Sequence, residues 1–79
     1  METQFITQFK EVLEIEDRNI ELTDKFREFE EWDSLAYLSI IAMIDEEYNV
    51  QIEGKIFKQL ETINDIIKII KELKQYGIS

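Results

Sequence analysis

Asp33 and Ser34 stand side by side at the mouth of an apolar run, Trp32 to Ile44 (WDSLAYLSIIAMI), which ends in the acidic patch Asp45-Glu46-Glu47. Asp33 suits a helix N-cap, because its carboxylate accepts from the unpaired N–H groups of the first turn. Ser34 then falls in that turn, at the positive end of the helix dipole, where an attached anion is favoured. This is a sensible place for a phosphate. For Ser34 to act as a nucleophile in its own right, an adjacent base would be needed. The chain has no histidine, so only a lysine could serve; Lys25 is the nearest in sequence, and nothing marks an oxyanion hole. Ser34 therefore reads as the substrate of another enzyme, and the chain as no enzyme itself. The plainer alternative is a capped helix start and nothing more.

The elements that must position this pair follow from hydrophobic spacing. Phe5, Ile6, Phe9, Val12 and Leu13 recur at three- and four-residue steps, which predicts a first helix over about residues 2–15. Residues 16–33 lose the period, and a loop of that length is either functional or hides a turn. Thr23 is the expected cap of such a turn, carrying Phe26 and Phe29 inward beside Leu22. The second helix is predicted over about 34–48, with Leu35, Leu38, Ile41, Ala42 and Tyr48 along one face and Ile40, Met43 and Ile44 widening it. A helix apolar over so much of its circumference is either central or touches a partner.

Residues 49–53 (NVQIE) alternate like a strand but have no pairing mate, so an extended connector is expected. Gly54 ends it, and residues 55–60 are read as one short helix turning Ile56, Phe57 and Leu60 inward. Thr62 or Asn64 caps the last helix, where Ile63, Ile66, Ile67, Ile70 and Leu73 keep the helical period. Lys68, Lys71 and Lys74 suit its C-terminal half, and Gly77 is a natural stop. The sum is an all-α, antiparallel four-helix bundle, three main helices plus one short one, with a long first loop. It reads as a single domain over residues 1–79.

Composition narrows the function. The chain has no cysteine, so disulfides, thiolate ligands and a cysteine nucleophile are ruled out. Without histidine the commonest metal ligand is missing as well, and no run has the spacing of a calcium loop. Eighteen acids against nine bases give a net charge of −9, which argues against nucleic acid and anionic membranes and for basic protein surfaces. The charge is uneven: residues 1–53 hold 15 acids and 4 bases, whereas 54–79 hold 3 acids and 5 bases. The N-terminus lacks the features of a signal peptide and no run is long enough to span a membrane, so a cytoplasmic, monomeric protein is expected.

Asp33-Ser34-Leu35, with an apolar helix and an acidic run behind it, resembles the attachment motif of the acyl carrier protein family. The resemblance extends through Asp45-Glu46-Glu47-Tyr48, the Val50-Gln51-Ile52 connector and Thr62-Ile63-Asn64-Asp65, about two-thirds of the chain. It implies that a phosphopantetheinyl transferase, using coenzyme A and a divalent metal of its own, attaches 4′-phosphopantetheine to Ser34. Asp33 would present the serine. The terminal thiol of the arm would carry an acyl group as a thioester, which fits a chain with no sulfhydryl of its own. Leu35, Leu38, Asp45 and Glu46 match positions where such carriers meet acyl-loading and acyl-consuming enzymes with basic surfaces. Phe26, Phe29, Ile41, Ala42, Leu60, Ile63 and Ile67 are core candidates that could also line a groove for the acyl chain.

The chain departs from the fatty-acid carriers at Ala36 and Ser39, where acids are common, at Glu30-Glu31-Trp32, where a glycine is common, and at Lys55 and Lys58 on the short helix. These departures favour a discrete carrier of a specialised pathway over the housekeeping carrier of fatty-acid synthesis. A peptidyl or aminoacyl carrier is the neighbouring reading, and a small acidic helical adaptor without cofactor is the rival from another class.

Overall fold

The three long helices form because each buries an apolar stripe that it cannot bury alone. The computed structural model describes residues 1–76, and Gly77, read as the stop of the last helix, lies outside them. Helix α1 spans Glu2–Leu13, α2 Ser34–Tyr48, α3 Gly54–Phe57 and α4 Ile63–Tyr76, with a single 3-10 turn at Phe26–Glu28 in the long first loop. The long helices α1, α2 and α4 pack pairwise, and the architecture is the helical bundle expected, three main helices and one short one.

Helix α1 turns Phe5, Phe9 and Leu13 inward. It stops two residues before the expected end because Glu14 takes the left-handed conformation (φ 57°, ψ 38°). The Ile15 N–H then donates back to the Lys10 carbonyl at 2.9 Å, a Schellman closure that also buries Ile15. Helix α4 buries Ile63, Ile66, Ile67 and Ile70 of the stripe read from the sequence and leaves Leu73 half-buried. Of its two candidate caps the structure uses Thr62. Its Oγ1 accepts from Asp65 N at 3.1 Å, while Asp65 Oδ2 accepts from Thr62 N at 3.1 Å and Glu61 N at 3.0 Å. This is a reciprocal capping box.

Helix α2 corrects the expected face. Ala36, Ile40, Met43, Ile44 and Tyr48 are buried, at steps of four, three, one and four. Leu35 and Leu38 are 73% and 58% exposed, Ile41 is half-buried and Ala42 is exposed. Residues 35–44 are apolar at nearly every position, so periodicity alone cannot choose the inward stripe. Packing against α1 and α4 chooses it.

The connectors are tied down rather than loose. The cap expected at Thr23 is not formed: the 3-10 turn starts behind Lys25 with no side-chain capping bond, and the Asp24 carboxylate instead accepts from Glu21 N at 2.8 Å, upstream of the turn. Phe26 is fully buried, while Leu22 and Phe29 are half-buried. The loop reaches α4 through main-chain bonds: Ile63 N donates to Asp24 O at 3.1 Å and Asn64 N to Leu22 O at 2.9 Å. These satisfy two of the N–H groups left open at the start of α4. Arg18 grips Glu31 with two bonds of 2.8 and 3.0 Å across the same loop. After α2, Asn49 closes the helix in the left-handed conformation, and Val50 and Ile52 of the extended connector are buried. Helix α3 begins at Gly54 rather than after it and ends at Phe57, so the short helix is shorter than the 55–60 expected. Phe57 is buried, and Ile56 and Leu60 are half-buried.

Candidate functional site

Asp33 takes an extended backbone (φ −151°, ψ −171°) directly before α2, and its Oδ1 accepts from Ala36 N at 2.8 Å. The same residue's carbonyl accepts from Tyr37 N at 3.0 Å. With Asp33 spent on the third turn residue, Ser34 becomes the first residue of the helix and is exposed. The first turn of any helix has N–H groups with no intrahelical partner, so an anion held at Ser34 faces donors as well as the positive end of the dipole. The expected N-cap at Asp33 is formed, and Ser34 lies exposed in the first turn as expected.

What holds the pair in place is aromatic. Trp32 lies nearly parallel to Phe9 (6.2 Å between centroids, 2°) and to Phe57 (6.1 Å, 8°). Phe26 meets Trp32 edge-on at 4.8 Å and Phe57 at 5.6 Å. Such contacts add to plain area burial and fix ring orientation. The residue immediately before Asp33 is thereby clamped between α1 and α3, and the start of α2 with it.

Ser34 opens onto a cleft of about 400 Å³ between the start of α2 and α3. Its walls are Trp32, Tyr37 and Phe57, its rim Arg27 and Lys58, and Asp33 and Gly54 complete it. Arg27 is fixed there: Nη2 donates to the Phe57 carbonyl at 2.6 Å and Nε to the Leu60 carbonyl at 3.0 Å. Its guanidinium also lies 5.1 Å from the Phe26 ring centre and 5.6 Å from that of Phe57. An exposed hydroxyl, an apolar trough beside it and two cations on its rim suit a phosphate followed by an organic arm. Sequence reasoning did not single out Arg27, Tyr37 or Lys58 as neighbours of the site. Tyr37 was open to it, three residues after Ser34 on the same helix face.

The docking candidates Leu35, Leu38, Asp45 and Glu46 are all exposed on α2. The seven candidates for an acyl groove differ in burial. Phe26, Ile63 and Ile67 are core; Phe29, Ile41 and Leu60 are half-buried. Ala42 is a correction: it is exposed and lines a separate shallow cleft with Gln8, Val12, Glu11 and Glu46 between α1 and α2. None of the seven lines the cleft at Ser34. Among the described residues no three carboxylates converge to hold a metal ion, and no helix is long and apolar enough to cross a membrane.

Residues 3–70 match the profile of a family described as "Phosphopantetheine attachment site". No curated protein matches the chain significantly. Among solved structures, the chain is similar to the solution NMR structure of a holo acyl carrier protein from Geobacter metallireducens, with a TM-score of 0.81. That likeness covers 99% of this chain and 92% of the other at 12% identity, which speaks to the fold.

Proposed function

The chain belongs to the phosphopantetheine attachment site family, and from that premise we propose that Ser34 is the attachment residue of an acyl carrier protein. The carrier function and the covalent 4′-phosphopantetheine follow from the family; the residue, the cargo class and the docking face are our reading. The observation that carries it is the exposed Ser34 hydroxyl behind the Asp33 cap, opening onto a cleft with an apolar trough and a cationic rim.

In that role Asp33 holds the first turn in shape and Ser34 offers its oxygen to the transferase. The Ser34 oxygen forms a phosphodiester, its proton is lost, and 3′,5′-ADP leaves from coenzyme A. Once attached, the arm supplies a thiol for thioester linkage, chemistry the chain lacks. The exposed Leu35 and Leu38 give partner enzymes an apolar anchor, and Asp45 and Glu46 give basic partners an acidic rim that speeds encounter. The aspartate before the serine and that acidic rim favour acyl over aminoacyl cargo.

The test is localisation. After treatment with coenzyme A and a phosphopantetheinyl transferase, peptide fragmentation should place the arm on Ser34. The chain has two other serines, Ser39 and Ser79; finding the arm on either overturns the assignment.

A further inference from the structure

The interior is built from side chains that yield little. Among the described residues, every large side chain that is fully buried is a phenylalanine or an isoleucine, four of the first and six of the second. All six isoleucines stand in helices, two in α2 and four in α4, where a branched β-carbon leaves one strongly preferred rotamer. The aromatic rings are joined end to end. Tyr48 meets Phe5 at 6.1 Å, Phe5 meets Phe9 at 6.0 Å, Phe9 meets Phe26 at 6.4 Å, and Phe26 meets Phe57 at 5.6 Å. At one end the run is fixed by the hydrogen bond that the Tyr48 hydroxyl donates to Gln8, and at the other it reaches Tyr37, 5.2 Å from Phe57. Methionine is the side chain that adapts to irregular space. The core holds one, Met43, and it sits at the edge, lining the surface cleft between α1 and α2.

Resting on Ser34 as the attachment residue, we propose that this carrier keeps its acyl group outside the bundle, and that its cargo is an acyl group short or polar enough to stand in water. Phe26, Ile63 and Ile67, which the family resemblance offered as groove residues, are already engaged in this packing. A protein interior is close-packed and transmits strain. An alkyl chain entering here forces stiff side chains off their rotamers, the cost met when any packed core is overfilled. A long chain left outside keeps its apolar surface in water, which is unfavourable. A short chain, or one bearing hydroxyl or carboxyl groups, has little such surface to hide. The thioester then stands as open to water as in coenzyme A, and its safety lies in rapid hand-over between enzymes.

The experiment begins with intact mass after incubation with unacylated coenzyme A and a promiscuous phosphopantetheinyl transferase. A chain that takes no arm refutes the attachment assignment and not the exclusion of cargo. The chain is then loaded from acetyl-, butyryl- and octanoyl-coenzyme A, and hydroxylamine cleavage of each thioester is timed against the same thioester of free coenzyme A. Two-dimensional methyl NMR reads Ile44, Ile63 and Ile67 in each form. We expect relative cleavage rates that do not change with chain length, one melting temperature for all three forms, and isoleucine methyls that keep their positions. Burial of the extra methylenes of octanoyl would slow its cleavage by more than about tenfold. Slowing of that size, or buried isoleucine methyls that move as the chain lengthens, overturns the proposal.

Discussion

The Arg27 guanidinium donates to the Phe57 carbonyl at 2.6 Å, so one side chain from the long loop closes the last turn of the short helix α3. A second bond to the Leu60 carbonyl at 3.0 Å and contacts with the faces of Phe26 and Phe57 make the link planar as well as charged. The cleft beside Ser34 owes its far wall to this link. Arg27→Ala should lower stability by about 1–2 kcal/mol, since charge-assisted bonds to main-chain oxygens are among the stronger ones. For a domain of this size that is a loss of roughly 4–16 °C in melting temperature. Arg27→Lys should recover little, because an ammonium cannot reproduce the fork. Full recovery by lysine in a thermal melt would show that charge alone matters there.

Glu14 pays for closing α1 with a left-handed backbone at φ 57°. Glycine has no such cost, and the site is a helix C-terminus where it is preferred. Glu14→Gly should therefore raise stability by about 0.5–1 kcal/mol, less the entropy glycine adds to the unfolded chain. Glu14→Ala should not. A chemical-denaturation midpoint that falls with Gly contradicts the reading of this turn.

Asp65 gives the fold an acid limit. The N–H groups of Glu61 and then Thr62 hold its carboxyl below the ordinary carboxylate value. The unfolded chain thus takes up this proton at higher pH than the fold does. The stabilisation is complete above the ordinary range, about pH 4, and is lost as pH falls through the lowered value. Glu31 acts in the same direction through its hydrogen bond from Arg18. Asp65→Asn should melt below wild type at neutral pH, with the gap narrowing as pH drops below about 4. A gap that stays constant over that range would mean that the capping box contributes without its charge.

Leu35 and Leu38 are large, apolar and exposed, so the docking role we propose for them can be tested apart from folding. Leu35→Ala and Leu38→Ala should each change stability by less than about 0.5 kcal/mol, as exposed substitutions generally do. The rate at which a partner enzyme loads or unloads the carrier should fall, and raising salt should slow the wild type too through Asp45 and Glu46. Stopped-flow or mass-based loading kinetics would show it. Unaltered kinetics in both variants would move the docking face elsewhere.

The fold was legible where apolar and polar residues alternate with a helical period, as at Phe5, Phe9 and Leu13 in α1 and at Ile63, Ile66, Ile67 and Ile70 in α4. The start of α2 was legible from Asp33, whose capping bond to Ala36 N is the one expected of that residue type. The inward face of α2 was not, because a run apolar almost throughout contains no period to read. It took the packing of Ile40, Ile44 and Tyr48 to show that Leu35, Leu38 and Ala42 are left outside. The serine of the site was open to sequence reasoning, but its cleft was not. Arg27 meets Phe57 and Leu60 across thirty and more residues, and no local spacing announces a contact of that range. Trp32 hides for a similar reason, since its partners Phe9 and Phe57 lie more than twenty residues away on either side of it.

The central claim, that Ser34 carries the arm, is tested most directly by intact mass. The wild type and a Ser34→Ala variant are incubated side by side with coenzyme A and a promiscuous phosphopantetheinyl transferase. Our account predicts one phosphopantetheine on the wild type and none on the variant. A variant that still gains the arm, or a wild type that gains none with several transferases, contradicts it and returns Ser34 to the role of a helix start behind its cap.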